Sequence, residues 1–314
     1  MSFQPFVSAP FGARIDQAEL LIVFATHNGA GWIERTLEGY ARQRPAPPWA
    51  LVVIDNGSTD ETAEVLTRYQ GVLPLLVLNE ERPGKNVALN RALTLLGDTN
   101  CNFVFTDDDA VPEPDFVDRW SDTLSRQCDH SLFGGTIIPY FDGLDHRIPN
   151  RYEAFHAEIY ARNIRPEGAI EPRWIFGPNM AVSGAVIRAG HRFNEEIGPS
   201  SADPSYPMGS ETEFCVRVAQ EAGVSAWFAA LPRVLHIVRD SQATEQFVLQ
   251  RAFRHGRGFA QIAKPGTTSR WVKLKSDLRL ALLRMVALTG SARAKWNKAW
   301  LEGYRSGVRR DRSA

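Results

Sequence analysis

Three consecutive carboxylates, Asp107, Asp108 and Asp109, end the apolar run Phe103-Val104-Phe105-Thr106. Packing alone gives them no reason to be there. Adjacent like charges repel and buried carboxylates are costly unless something positive neutralises them, so a hard divalent cation carrying a phosphate, Mg²⁺ or Mn²⁺, is the natural partner. Taken in isolation the triplet reads first as a solvated acidic turn capping a helix that starts near Pro112. The choice between the two depends on what else the chain places at comparable positions.

Four other stretches carry groups that could do chemistry. Thr26-His27-Asn28-Gly29 follows an apolar run and offers small polar groups suited to a ligand at a helix N-terminus. Asp55-Asn56-Gly57-Ser58-Thr59-Asp60 follows another. Ser58 or Thr59 can cap the next helix and Asp60 or Glu61 can favour its dipole, which leaves Asp55 unexplained. A carboxylate at a strand end can accept from a nucleobase N–H, although Asp-Asn-Gly is also an ordinary turn. Arg82-Pro83-Gly84-Lys85-Asn86 leads into Asn90; Arg82 and Lys85 could steer phosphates, with a solvated helix start as the competing reading for Lys85. It is not a P-loop, because the second glycine and the Lys-Ser/Thr ending are missing. Ser210-Glu211-Thr212-Glu213 opens a helix in which Ser210 and Glu213 suit a capping box, leaving Glu211 free to act as a general base. His236 follows Val234-Leu235 and is a candidate metal ligand or a plain core histidine.

The elements that must position these groups alternate. Short apolar runs at 20–25, 51–54, 75–78 and 103–105 read as strands, and the amphipathic stretches between them as helices. The helical faces are marked by Thr36, Leu37 and Tyr40, by Ala63, Leu66 and Thr67, and by Ala88, Leu89, Ala92, Leu93 and Leu96. This βαβαβαβ pattern predicts a Rossmann-like, mostly parallel sheet flanked by helices, with ligands beyond the carboxyl ends of its strands. Beyond it the chain predicts a strand at 132–138, an irregular insert at 139–172, order again at 174–182, a helix at 210–223, a strand at 226–229 and a helix at 244–263.

Lys+Arg and Asp+Glu both number 36 in 314 residues, but the balance is segregated: residues 264–314 carry net +10, leaving −10 for the rest. Lys264-Pro265-Gly266-Thr267-Thr268-Ser269 marks a linker, so the expected division is a catalytic domain over 18–263 and a basic helical tail over 264–314. Three separated cysteines argue against a disulfide framework or zinc site and for a cytoplasmic setting. No signal peptide is apparent, and the apolar stretch 278–288 is interrupted by Arg279 and Arg284 and too short to span a bilayer. In the tail, Trp271, Leu274, Leu278, Leu282, Met285, Trp296, Trp300 and Tyr304 alternate with cations, which suits either a helix on an anionic membrane surface or a helical pair packed on the domain. Nucleic acid is a poor fit as a partner, since the cations are confined to the tail and no binding motif accompanies them.

The segments FATHNG, VVIDNGSTDET, RPGKNVALNRAL, FTDDDAVPEPDF, GPNMAVSGAVIR, GSETEFCVRVAQEAG and VLHIV, in that order, make residues 18–260 resemble family-2 glycosyltransferases of bacterial surface-polysaccharide assembly, which have the GT-A (nucleotide-diphospho-sugar transferase) fold. The resemblance implies transfer of a sugar, with inversion, from a nucleotide-sugar donor to a hydroxyl of a glycan or lipid-linked acceptor. It implies Mn²⁺ or Mg²⁺ as cofactor and UDP- or dTDP-sugars as donors, with peripheral contact at the inner face of the cell membrane. By that resemblance Asp109 binds the cation, Asp107 contacts ribose or metal, and Asp108 supports them. Thr26, Asn28 and Asp55 line the nucleotide site with Asp55 reading the base; Gly84, Lys85 and Asn90 lie in the segment covering the donor; His236 approaches the metal or diphosphate.

Two departures stand out. Ser210-Glu211 replaces the family's usual Glu-Asp, so Glu211 takes the place of the aspartate base, with Glu213 as substitute. Asn56 stands where many relatives have a second aspartate, which leaves base preference open. The competing classes are a catalytically silent nucleotide-sugar-binding subunit of a membrane-associated assembly complex and, more distantly, a nucleotidyltransferase; the latter should carry a Gly-rich basic loop near the N-terminus, which FATHNG is not.

Overall fold

The computed structural model describes residues 17–44, 46–141, 143–263, 282–283, 285–287 and 290–310. They fall into two compact units. The first comprises the described residues of Met1–Pro139, with Asn163–Glu195 and Glu211–Ile237. The second comprises Tyr140–Arg162, Glu196–Ser210 and the described part of Val238–Ala314.

The first unit is built on a mixed sheet whose strands are β1 (Leu20–Thr26), β2 (Trp49–Asp55), β3 (Leu75–Asn79), β4 (Asn102–Thr106), β5 (Ala110–Pro112), β6 (Leu132–Tyr140), β7 (Gly168–Ile170), β8 (Asn179–Val182) and β9 (Ala226–Ile237). Their order is β3-β2-β1-β4-β8-β6-β9-β5, with β7 on β9. Pairing is parallel among β3, β2, β1 and β4, as the βα alternation predicts. It turns antiparallel where β8 meets β4 and β6, and where β9 meets β5 and β7. The parallel prediction therefore describes one half of the sheet; the other half is built from segments that follow no βα rhythm.

Strands β1, β2 and β4 are apolar on both faces because helices cover both sides, as parallel strands require. Ala88, Leu89, Ala92, Leu93 and Leu96 of the helix Lys85–Leu96 are buried in a cluster with Leu21, Val23, Val52 and Phe103. In the helix Thr62–Tyr69 the buried face is Thr62, Val65 and Leu66, whereas Ala63 and Thr67, assigned to that face from the sequence, are exposed. The helix expected near Pro112 begins at Phe116, since Ala110–Pro112 is consumed by β5. β9 runs on from the expected 226–229 to Ile237, which carries His236 into the sheet.

The second unit packs Tyr152, Ile159, Tyr160, Val238, Val248, Ala252 and Trp296 into a core of its own. Its helices Glu245–Ala263 and Ala292–Arg310 approach closely through glycine. A β-carbon at Gly256 would collide with the Trp300 carbonyl, and one at Gly303 with that of Phe253. Trp296 of the tail is thus a core residue, whereas Leu282 and Met285 are exposed. The expected linker 264–269, with Trp271, Leu274 and Leu278, lies outside the described residues. Among the described residues no helix is long and apolar enough to cross a membrane.

Candidate active site

The chain lays down β1, β2 and β3 to one side and then returns to place β4 on the other side of β1. At such a switch point the connections leave in opposite directions and open a crevice at the carboxyl ends of the strands. Thr26 ends β1, Asp55 ends β2 in register with it, and Asp107–Asp109 leave the end of β4. The acids singled out in the sequence therefore stand at the mouth of this crevice.

The acidic turn is held from several directions. The Thr26 hydroxyl donates to Asp108 Oδ2 at 2.6 Å, and the Thr36 hydroxyl to the Asp108 carbonyl at 2.9 Å. Gly29 lies under the first of these bonds: a β-carbon there would sit 2.5 Å from Thr26 Oγ1. Burial, with the Asp109 charge second, pushes the Asp108 carboxyl up to about 7 against the opposing pull of the Thr26 hydroxyl. Asp108 is thus tied into the turn through the Thr26 hydroxyl.

Asp109 is buried, and its position is fixed by strand register. Ala110 pairs with His236 across β5 and β9, and the Ile237 N–H donates to the Asp109 carbonyl at 2.8 Å. That ladder sets the His236 ring beside the carboxylate, with Nε2 3.2 Å from Asp109 Oδ1. Asp107, Asp109 and His236 each offer a ligand atom, all within 4.8 Å of one another. Two carboxylates and an imidazole form a donor set that fits a divalent cation of the Mn²⁺ or Mg²⁺ type.

Lys85 is brought to the same place. Its Nζ lies 2.6 Å from Asp107 Oδ1 and 3.1 Å from Glu211 Oε1. The solvated helix start weighed for Lys85 does not hold: only 16% of its side chain is exposed. Burial works against its charge, but the Asp107 and Glu211 carboxylates outweigh it and raise its pKa far above the ordinary lysine value. Glu211 rests against Gly177, where a β-carbon would strike its carboxylate. Sequence reasoning misses Gly177 as a site residue, although it heads the GPNM segment.

The remaining candidates are placed differently. Asp55 Oδ1 accepts from the Ser58 N–H at 2.9 Å, so the carboxylate shapes the loop after β2 while standing at the strand end. Asn28 adopts the left-handed conformation, with φ 53°, and its Oδ1 accepts from the Thr59 N–H at 2.7 Å. It ties the loops after β1 and β2 together. Gly84, at φ 138°, donates its N–H to Asn56 Oδ1 at 2.9 Å. Asn56 Nδ2 donates to the carbonyls of Glu80 and Arg82, at 2.9 and 2.7 Å. A carboxylate cannot donate those bonds, so asparagine at 56 has a structural reason.

Asn90, Arg82 and Glu213 have commitments of their own. Asn90 bonds Phe193 and Glu195 through its side-chain amide. Arg82 faces Glu80 and Glu195. Glu213, the substitute base, is held by Arg217 at 2.7 Å one turn along its helix.

A mixed sheet of this order, with acids and a histidine gathered at its switch point, matches the GT-A fold. The chain belongs to glycosyl transferase family 2, whose model matches residues 21–183, over half of its length. Glu211 and His236 lie beyond that match.

Two relatives come from Haloferax volcanii. A glucosyl-dolichyl phosphate glucuronosyltransferase is 22% identical over 215 residues, 67% of this chain and 66% of that protein. The glycosyltransferase AglE is 23% identical over 247 residues, 77% of this chain and 73% of that one. Among solved structures, the mannosyltransferase PcManGT from Pyrobaculum calidifontis, in complex with GDP-Man and Mn²⁺, superposes with a TM-score of 0.61 at 19% identity. That match covers 94% of this chain and 88% of PcManGT. S. aureus TarS 1-349 in complex with UDP gives a TM-score of 0.51 at 15% identity over 94% of this chain and 91% of TarS 1-349.

Proposed function

We propose that the chain moves a sugar from a nucleoside-diphosphate sugar, a UDP- or dTDP-sugar, to a hydroxyl of a glycan or lipid-linked acceptor in cell-surface polysaccharide assembly, with inversion. The observation that carries this reading is the convergence of Asp107, Asp109 and His236 within 4.8 Å at the switch point, with Glu211 joined to Asp107 through Lys85. Mn²⁺ or Mg²⁺ held by Asp107, Asp109 and His236 would supply charge neutralisation for the leaving diphosphate. Glu211 accepts the proton of the attacking hydroxyl, and a single in-line displacement needs no covalent intermediate. Asp55, at the end of β2, accepts from the base. Asn28, Gly84 and Asn56 shape the loops that enclose the nucleotide, a positioning part rather than direct contact.

UDP is bound in the TarS structure and GDP-Man in that of PcManGT, likenesses that favour a nucleoside-diphosphate donor without choosing its base. The name of one Haloferax relative pairs a sugar transfer with glucosyl-dolichyl phosphate, which favours a lipid-linked acceptor. A lipid-linked acceptor would bring the basic residues of the tail to an anionic membrane surface.

The test is calorimetric titration with UDP, dTDP and GDP, with and without Mn²⁺, on the chain and on Asp109→Ala. Metal-dependent binding of one nucleotide, lost in the variant, is the expected result. Absence of binding to all three would sink the donor site.

A further inference from the structure

Lys85 is in an unfavourable place for a cation. It opens the helix Lys85–Leu96, whose first amides already present partial positive charge. What offsets this is the pair of acids on either side of its ammonium: Asp107 at 2.6 Å, from the end of β4, and Glu211 at 3.1 Å, from the start of the helix Ser210–Ala222. One ammonium thus engages both a candidate cation ligand and the candidate base.

These two bonds conflict with the reaction. A base must turn a carboxylate oxygen to the acceptor hydroxyl, and Lys85 here holds Glu211 Oε1 by a charge-assisted bond. Gly177 limits the room on one side of Glu211, because even a methyl group at 177 would strike its carboxylate. The movable partner is the lysine, a flexible four-carbon stem with a charge at its tip. Once Asp107 ligates a cation, that charge is repelled from Asp107, and a donor diphosphate offers it a stronger anion than Glu211.

We infer that Lys85 is an exchangeable counter-ion that leaves Glu211 for the donor diphosphate, so that the base is released when, and only when, the donor is in place. The inference rests on the donor-site reading above. It gives the enzyme an order of events: without donor, Lys85 neutralises and immobilises Glu211; with donor, the same lysine holds the leaving group and Glu211 faces the acceptor. Lys85 is on this account a positioning residue for the base as well as a ligand of the donor.

A thermodynamic cycle tests it by binding alone. UDP, dTDP and GDP are titrated in saturating Mn²⁺ into the unmodified chain, Glu211→Gln, Lys85→Met and the double variant, with UMP, dTMP and GMP as controls. If Lys85 must leave Glu211 to reach the diphosphate, Glu211→Gln binds the preferred diphosphate at least about threefold more tightly, in the range of coupling found for contacting residues. The gain is absent for the monophosphate and absent in the Lys85→Met background. Unchanged or weaker binding by Glu211→Gln overturns the inference. So does an equal gain with and without Lys85, which would reduce the effect to plain repulsion between Glu211 and the ligand.

No binding of any diphosphate to the unmodified chain would instead overturn the donor-site reading and the inference with it. A second measurement needs no lysine variant. The ¹³C carboxyl resonance of Glu211, assigned by its loss in Glu211→Gln, should shift on adding the diphosphate with Mg²⁺ and stay in place with the monophosphate. A resonance unmoved by a diphosphate that binds overturns the exchange.

Discussion

The Thr26 hydroxyl and the Asp108 carboxylate, 82 residues apart in the chain, meet at 2.6 Å across the carboxyl ends of β1 and β4. This bond holds the middle acid of the triplet, between Asp107 and Asp109 in the chain. Thr26→Val keeps the shape and removes the donor. An orphaned buried acceptor costs about 1–3 kcal/mol; Asp108 is part-buried, so the loss should lie at or below the low end of that range, and the melting temperature should fall accordingly. Thermal denaturation followed by circular dichroism measures this, and an unchanged melting temperature would remove the bond from the account of the site.

His236→Ala removes the one nitrogen from the donor set, and Asp109→Asn a charge. Loss of a supporting residue around a metal typically costs about 10–100-fold in affinity, and loss of a ligand should cost no less. Mn²⁺ titration followed by electron paramagnetic resonance reads the free ion directly. Equal affinity in His236→Ala and the unmodified chain would take the histidine out of the set.

Glu211 and Glu213 are separable by kinetics. With the acid at 211 as the base, Glu211→Gln should lower kcat by about 10²–10⁴, with donor binding not weakened. Glu213→Gln, which only releases Arg217, should leave kcat near its original value while costing some stability. The reverse pattern would exchange their parts.

Gly177→Ala places a methyl group against the Glu211 carboxylate. The side chain can yield, so the fold should survive, but a base displaced by an ångström can cost about 10²-fold in rate. A fall in kcat at unaltered melting temperature is expected; parallel loss of both would make the glycine a packing residue only.

In the second unit, Glu245 accepts from Lys295 at 2.8 Å and from the Tyr152 hydroxyl at 2.8 Å, and Arg151 stands 3.4 Å away. The Lys295 bond chiefly, with help from Tyr152, holds its carboxyl below the ordinary glutamate value of 4.5. The native state then binds fewer protons than the unfolded chain as the solution is acidified. The stabilisation is therefore complete above pH 4.5 and is lost as the pH falls through the lowered folded value. Lys295→Met should flatten that part of the stability profile; denaturant melts between pH 6 and about pH 3 would show an unchanged slope if the pair contributes nothing.

Much of the site is legible in the amino-acid sequence. Asp107–Asp109 can be recognised because an apolar strand does not end in three charges without a use for them, and the βα alternation assigns them to the carboxyl end of β4. Glu211 stands out because Ser210 and Glu213 already supply a helix-start reading without it, though Glu213 in fact pairs with Arg217. Lys85 is ambiguous, since a lysine at a helix start looks alike whether it faces solvent or two carboxylates distant in sequence.

What the chain's own pattern determined was local: period, charge and breakers specify which segments become strands and helices and which polar groups lie at their ends. Only the tertiary structure decided which ends meet. His236 became a neighbour of Asp109 through the β5–β9 register, Gly177 became the seat of Glu211, and Asn90 was bonded to Phe193 and Glu195. The antiparallel half of the sheet was likewise hidden, because β6, β8 and β9 pair over long separations that leave no periodic trace. Contacts of this kind arise when the sheet closes, and no short-range propensity carries their signal.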